Sequence, residues 1–234
     1  RNYLFVDEIQ NIKEFEVSLR SFHTNDECEM VITGSNAKML SSELSTYLSG
    51  RCVEYHIQSL DYREFLTFHR LSDNNQSLHS YLKYGGLPQL HRIGLEETEL
   101  VDDYLKSVYH TIVLKDVIER EEIRNVPLLK NLIRFVGDNV GKVFSASSIV
   151  KYLKSQQVDS STRVILNYLE YLCNAYIINR VNRYDIHGKR LFELNDKFYF
   201  EDIGIRNSLV ASGRSSSMEK VIENVIYLHL VRLG

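Results

Sequence analysis

Two adjacent carboxylates, Asp7 and Glu8, close the apolar run YLFV at residues 3–6. This order of side chains suits metal-assisted hydrolysis, in which an Asp holds a magnesium ion and a neighbouring Glu orients and deprotonates an attacking water. A second apolar run, MVITGSN (30–36), ends in Thr33, Gly34, Ser35 and Asn36. If the two runs are neighbouring strands, Ser35 or Asn36 can hydrogen-bond the water or a terminal phosphate. Arg51 precedes a third apolar run, CVEYHI (52–57), and from there a guanidinium could reach a γ-phosphate in its own or an adjacent subunit. Each feature has a plainer alternative. Asp7 is a helix-capping residue type, Gly, Ser and Asn are ordinary turn residues, and an isolated arginine usually decorates a surface.

The elements that must position these groups follow from periodicity. YLFV is too short and continuous for an amphipathic helix and suits a parallel strand buried on both faces. Residues 12–23 carry an imperfect helical stripe of Ile12, Phe15, Val17, Leu19 and Phe22, and residues 37–50 read as a helix ending near Gly50. Strand, helix, strand, helix, strand is part of an open parallel sheet, where functional groups gather beyond the carboxyl ends of the strands. From Asp61 to Phe135 the pattern is all helical. In its longest segment Leu100, Val101, Tyr104, Leu105, Val108, Tyr109, Ile112 and Val113 recur at threes and fours. Pro127 opens a further helix. Two more helices follow, with Ser145 and either Ser160 or Ser161 as N-caps; the second has a stripe of Ile165, Tyr168, Leu169, Leu172 and Tyr176. The strands IINRVNRY, RLFEL and FYFED come next, so helix, turn, helix and hairpin form a winged-helix pattern. The expected domains are 1–60, 61–134, 135–212 and 213–234.

Composition bounds the reading. Of 234 residues, 44% are hydrophobic and 25% charged, the balance of a globular chain. A net charge of −3 argues against coating nucleic acid by bulk electrostatics. Cys28, Cys52 and Cys173 are widely separated and read as reduced core thiols of a cytoplasmic protein. No apolar run approaches the ~20 residues of a membrane span, and nothing reads as a signal peptide. Both ends fall within apolar runs, so the sequence is expected to be a fragment of a longer protein.

The motifs also carry a resemblance. LFVDE resembles the Walker B strand of an AAA+ type P-loop ATPase, VITGSN its sensor-1 strand, and SGR its arginine-finger position. YGGLPQL (84–90) is similar to the Gly-x-Pro lid motif of STAND and archaeal-type ATPases. With YHTIVLKDVIER and RYDIHGKRLFELNDKFYFEDIGIRN, essentially the whole chain resembles a widespread prokaryotic family of predicted AAA+ ATPases. The C-terminal region of that family, of unknown function, runs from the lid through a winged helix into a restriction-endonuclease-like fold. The resemblance implies an α/β plus α fold: a partial parallel-sheet AAA+ core holding the Walker B and sensor-1 strands, a helical lid, then a winged-helix domain. It implies ATP and Mg2+ as ligands of the full-length parent. Asp7 would hold magnesium, Ser35, Gly86 and Pro88 would contact nucleotide, Glu8 would activate water and Asn36 would sense the γ-phosphate. Arg51 would complete a neighbouring site in a homo-oligomer.

One departure bears on all of this. No GxxxxGK(S/T) occurs in the sequence, and that loop supplies the N–H groups and lysine that cradle phosphates. The chain as given is therefore expected to bind nucleotide weakly or not at all. A winged helix lays its second helix in the major groove, which makes Arg163, Asn167, Arg180, Arg183, Lys189 and Arg190 candidate DNA contacts, with Lys151 and Lys154 nearby. Asp159, Glu170, Asp185 and Glu193 dilute that field. A DNA-binding module with a vestigial ATPase core and a protein-interaction scaffold stay open as alternatives. Glu219 and Glu223 precede a strand-like apolar run, VIYLHLVRL; Glu223, where the resemblance places the first helix of the nuclease-like region, is also an ordinary helix-surface carboxylate.

Overall fold

β1 (Asn2–Val6) and β2 (Cys28–Ile32) pair in parallel in the computed structural model, with Val6 opposite Ile32. The structure describes residues 2–24, 28–36, 52–182, 196–210 and 218–234. Its contacts divide it into two units, one running to Ile57 and including Asn174–Tyr176, the other Gln58–Cys173 with Ile177–Gly234. In the first unit, α1 (Phe15–Thr24) links the strands, as the parallel pairing requires. Side chains alternate across a strand, so Val6, Met30 and Ile32 share one face, where they meet Ile9, Phe15 and Leu19 in a small core. The other face leaves Tyr3, Phe5 and Val31 at 59%, 74% and 51% exposure.

That bare face corrects the expectation of strands buried on both sides, because among the described residues only one face of the pair has an apolar covering. The expected third strand at 52–57 does not form either. Val53, Tyr55 and Ile57 alternate as a strand should, yet all three are exposed. Alternation shows which side chains share a face, whereas a strand also needs a neighbour for its main chain. The helix expected at 37–50 lies outside the described residues.

In the second unit most of the helices begin at a polar cap. α2 (Tyr62–His69) is preceded by a capping box of Asp61 and Glu64, and Asn74 caps α3 (Asn75–Tyr84). α4 (Leu90–Ile93) is a single turn before α5 (Thr98–Ile112). α5 runs directly into a π-helical segment, Val113–Glu119. The buried positions explain the change of pitch. Val101, Leu105, Tyr109, Val113 and Val117 fall at every fourth residue, a spacing that drifts by ~40° per step on an α-helix. Widening the turn holds the stripe against the core. α6 (Val126–Asp138) starts with the Asn125 cap and Pro127. α7 (Ala146–Ser155) starts with a capping box made by Ser145 and Ser148. The Ser161 hydroxyl accepts from Val164 N at 3.3 Å near the start of α8 (Thr162–Asn174). Ile165, Tyr168, Leu169 and Leu172 of α8 are buried, while Tyr176 lies beyond its end in a left-handed conformation.

β3 (Ile178–Val181) and β4 (Lys197–Phe200) are antiparallel, with Ile178 opposite Phe200. The expected strand RLFEL and the turn before it fall outside the described residues. The outer edge of β4 is also occupied. Gly141 N donates to Phe198 O at 3.2 Å, and Phe144 and Asp196 exchange two main-chain bonds. α9 (Ile203–Leu209) follows β4 directly, and α10 (Met218–Leu233) completes the chain. The fully buried Asn224 of α10 accepts from Phe200 N and donates to Phe200 O, both at 2.8 Å. The apolar run VIYLHLVRL, read from sequence as strand-like, is helical. Val221 and Asn224 face inward while Ile222, Ile226 and Leu230 are exposed, so apolar residues on two sides hide the helical period. Among the described residues no helix is long and apolar enough to cross a membrane.

Candidate functional site

The parallel register puts Asp7 and Thr33 just beyond the paired ends of β1 and β2. Thr33 then ties the two turns together. Its N–H donates to Val6 O at 2.9 Å, and its carbonyl accepts from Ile9 N at 3.1 Å. Its hydroxyl donates to Asp7 Oδ1 and accepts from Glu8 N, the latter at 3.1 Å. Ile9, only 2% exposed, pins the turn from below. Glu8 consequently sits at φ 52°, ψ 53°, a left-handed conformation that costs a non-glycine residue on the order of 1 kcal/mol and recurs at functional turns. The Glu8 side chain is held as well. Gln10 Nε2 donates to Glu8 Oε2 and, at 3.0 Å, to Ser35 Oγ, while Ser35 Oγ lies 3.4 Å from Glu8 Oε2. Asn36 follows with its side chain buried at 3% exposure.

Asp7, Glu8, Thr33, Ser35 and Gln10 thus form one hydrogen-bonded cluster at the carboxyl ends of a parallel pair. The two acids remain exposed there. Carboxylate and hydroxyl oxygens are the donor set magnesium prefers, and such sites combine one or two carboxylates with phosphate oxygens and water. The donor types fit that ion, although no group of three or more His, Cys, Asp or Glu among the described residues forms a protein-only metal cage. Thr33 and Gln10 were not singled out from sequence. A polar residue two positions after the second acid, on a one-turn helix (Ile9–Asn11), is the signal that could have found Gln10.

The remaining candidates belong elsewhere or are already engaged. Gly86 is in the second unit, where its N–H donates to Asp202 Oδ2 at 2.9 Å and its carbonyl accepts from Leu60 N at 2.8 Å. Pro88 is exposed in the same turn. Arg163 and Asn167 are exposed on α8, and Lys151 and Lys154 on α7. Arg180 is paired to Asp196, with Nε and Nη2 at 2.6 and 2.5 Å from Oδ2. Arg51, Arg183, Lys189 and Arg190 lie outside the described residues. Glu223 accepts from Lys197 Nζ at 2.9 Å and from Tyr199 OH at 2.8 Å. Burial pushes the Cys173 thiol up to about 12, so it stays protonated and unreactive at neutral pH.

A short parallel sheet with acids and hydroxyls at its carboxyl end, followed by many helices, makes an ATPase-like fold. Comparison with solved structures agrees on the fold. The Walker-type ATPase paby2304 of Pyrococcus abyssi superposes with a TM-score of 0.56 at 15% identity, over 88% of this chain and 62% of that one. A model of an AAA domain matches residues 1–66. A second model, for a domain of unknown function, DUF8612, matches residues 75–217, and the chain belongs to that family. Two relatives align along 99% of the chain. One is an uncharacterized protein of Haemophilus influenzae, 34% identical over 238 residues, and the other is Uncharacterized protein MJ1544 of Methanocaldococcus jannaschii, 29% identical over 244. The chain spans 58% and 53% of their lengths.

Proposed function

We propose that this chain is the Walker B half of an ATP-hydrolysing AAA+ protein, with its nucleotide state coupled to a winged-helix module built from α7, α8 and the β3–β4 hairpin. What supports the reading is the cluster at the carboxyl end of β1 and β2. The Thr33 hydroxyl fixes Asp7, and Gln10 and Ser35 fix Glu8, so both acids are preorganised before any ligand arrives. Asp7 is the residue to hold magnesium, which when bound neutralises charge on the transferring phosphoryl group. Glu8 accepts a proton from water and orients it, while the half-buried Ser35 hydrogen-bonds the γ-phosphate; Asn36, buried at 3% exposure, would have to turn outward to sense it. Arg51 would act on a neighbouring subunit's nucleotide in a homo-oligomer. The phosphate-cradling loop absent from these 234 residues would come from elsewhere in a longer cytoplasmic parent, and the isolated chain would hydrolyse nothing.

Glu8→Gln in the longer parent tests the reading. Turnover falls by about a hundredfold or more with ATP binding retained, whereas unchanged turnover removes Glu8 from the mechanism. A second reading, DNA contact through α8, is favoured by the exposed Lys151, Lys154, Arg163 and Asn167 and weakened by the commitment of Arg180 to Asp196. Its signature is binding that weakens steeply with salt; no binding at low salt eliminates it.

A further inference from the structure

The run Asp202–Asn207 makes more long-range polar contacts than its length suggests. Asp202, 4% exposed, caps α9 by accepting from Ile205 N at 3.0 Å, and it also accepts from Gly86 N in the turn after α3. Burial pushes its carboxyl up, while the Gly86, Ile205 and Gly204 N–H groups and the Ser59 hydroxyl pull it back. Gly204 lies against the Tyr84 carbonyl with no room for a Cβ. Arg206, 1% exposed, donates from Nε and Nη2 to Gly137 O in the last turn of α6, at 3.0 and 2.8 Å. Its Nη1 donates to Asn207 Oδ1 at 3.0 Å, and Asn207 Nδ2 donates to both Leu82 O and Lys83 O at 2.9 Å, in the last turn of α3.

The carbonyls of a helix's last turn have no partner within the helix. Here two helices have such carbonyls, Leu82 and Lys83 in one and Gly137 in the other, satisfied by adjacent side chains of one short run. α9 also packs directly against α3, α5, α6, α10 and β4. We propose that Asp202–Asn207 is a clamp that makes the α2–α3 helices and the α6–α8 and β3–β4 module one rigid body, so that a displacement of the Tyr84–Pro88 turn is carried to α8 and the hairpin. The helix α9 is the joint, because it carries on adjacent residues the donor that holds α6 and the donor that holds α3. The clamp's buried members, Asp202 and Arg206, favour discrete arrangements over graded ones, and the half-buried Asn207 extends them to α3. The clamp stands on these contacts alone, and it survives if the nucleotide reading fails.

Native-state hydrogen exchange on the 234-residue chain tests it. Amides in the last turns of α3 and α6 and in α9 are expected to open together in the wild type, merging into one isotherm as denaturant rises. Asn207→Ala removes the two bonds to the Leu82 and Lys83 carbonyls while the Asp202–Gly86 bond stays, and Asn207→Asp keeps the shape without the donor. In both, exchange around residues 82–86 accelerates by about tenfold or more and separates from that of α6, whose rates stay unchanged. Circular dichroism confirms that both variants stay folded. Separate isotherms in the wild type would overturn the proposal, as would a merged isotherm in folded Asn207→Asp.

Discussion

The two units of the molecule solve the problem of polar groups in opposite ways. The first displays them: Asp7 and Glu8 stand exposed on turns held by Thr33 and Gln10, above a core whose buried members are Ile9, Phe15 and Leu19. Among the described residues its sheet has two strands and one bare apolar face, and a two-stranded sheet alone is marginal in water. The second unit inters its polar groups. Asp202, Arg206 and Asn224 are buried, and each is satisfied by main-chain groups distant in sequence. Exposed chemistry sits on a slight scaffold, and buried polar groups specify a dense one. Stability and candidate reactivity are therefore expected to respond to different residues.

The largest effect should come from the dense unit. Arg206→Met removes three hydrogen bonds and strands the buried Gly137 carbonyl, at a cost of about 3 kcal/mol or roughly 6–12 °C in Tm by calorimetry. A loss of under about 2 °C would mean that the second unit does not depend on this guanidinium. Ile9→Ala comes next, at about 2–3 kcal/mol, and it should be felt only in the first unit. Hydrogen exchange would accelerate along β1 and β2 and stay unchanged in α6, and a loss shared by both would erase the contrast between them. The smallest effect is electrostatic. Hydrogen bonds from Lys197 and then Tyr199 outweigh burial and hold the Glu223 carboxyl below its ordinary value. A depressed acid stabilises the fold above its unfolded-state pKa, and that contribution is lost as pH falls through the lower folded value. Glu223→Gln should lower Tm by about 1–2 °C at neutral pH and leave it unchanged near pH 2. An equal shift at both would assign the loss to packing.

Much of the local structure was legible in the sequence. Ser145, Pro127 and the Ile165–Leu172 stripe each announce their helices, because caps and helical periods act within a few residues. The parallel pairing of YLFV with the run before TGSN followed from two short apolar strands flanking a helix. What could not be read is pairing at a distance. Nothing near Asp202 points to Gly86, 116 residues away, and nothing near Asn224 announces that its amide will serve a strand. Alternation misled at Val53, Tyr55 and Ile57, and a helix apolar on two sides passed for a strand. Thr33 was visible but overshadowed by its neighbours Ser35 and Asn36, although its hydroxyl touches both acidic residues.

The Asn224 amide has a consequence for how the hairpin can meet other chains. With Gly141, Phe144 and Asn224 engaging the main chain of β4 along one side and β3 along the other, that strand behaves as an interior one. It offers no template for an incoming peptide. A partner therefore cannot dock by extending the sheet at Lys197–Phe200.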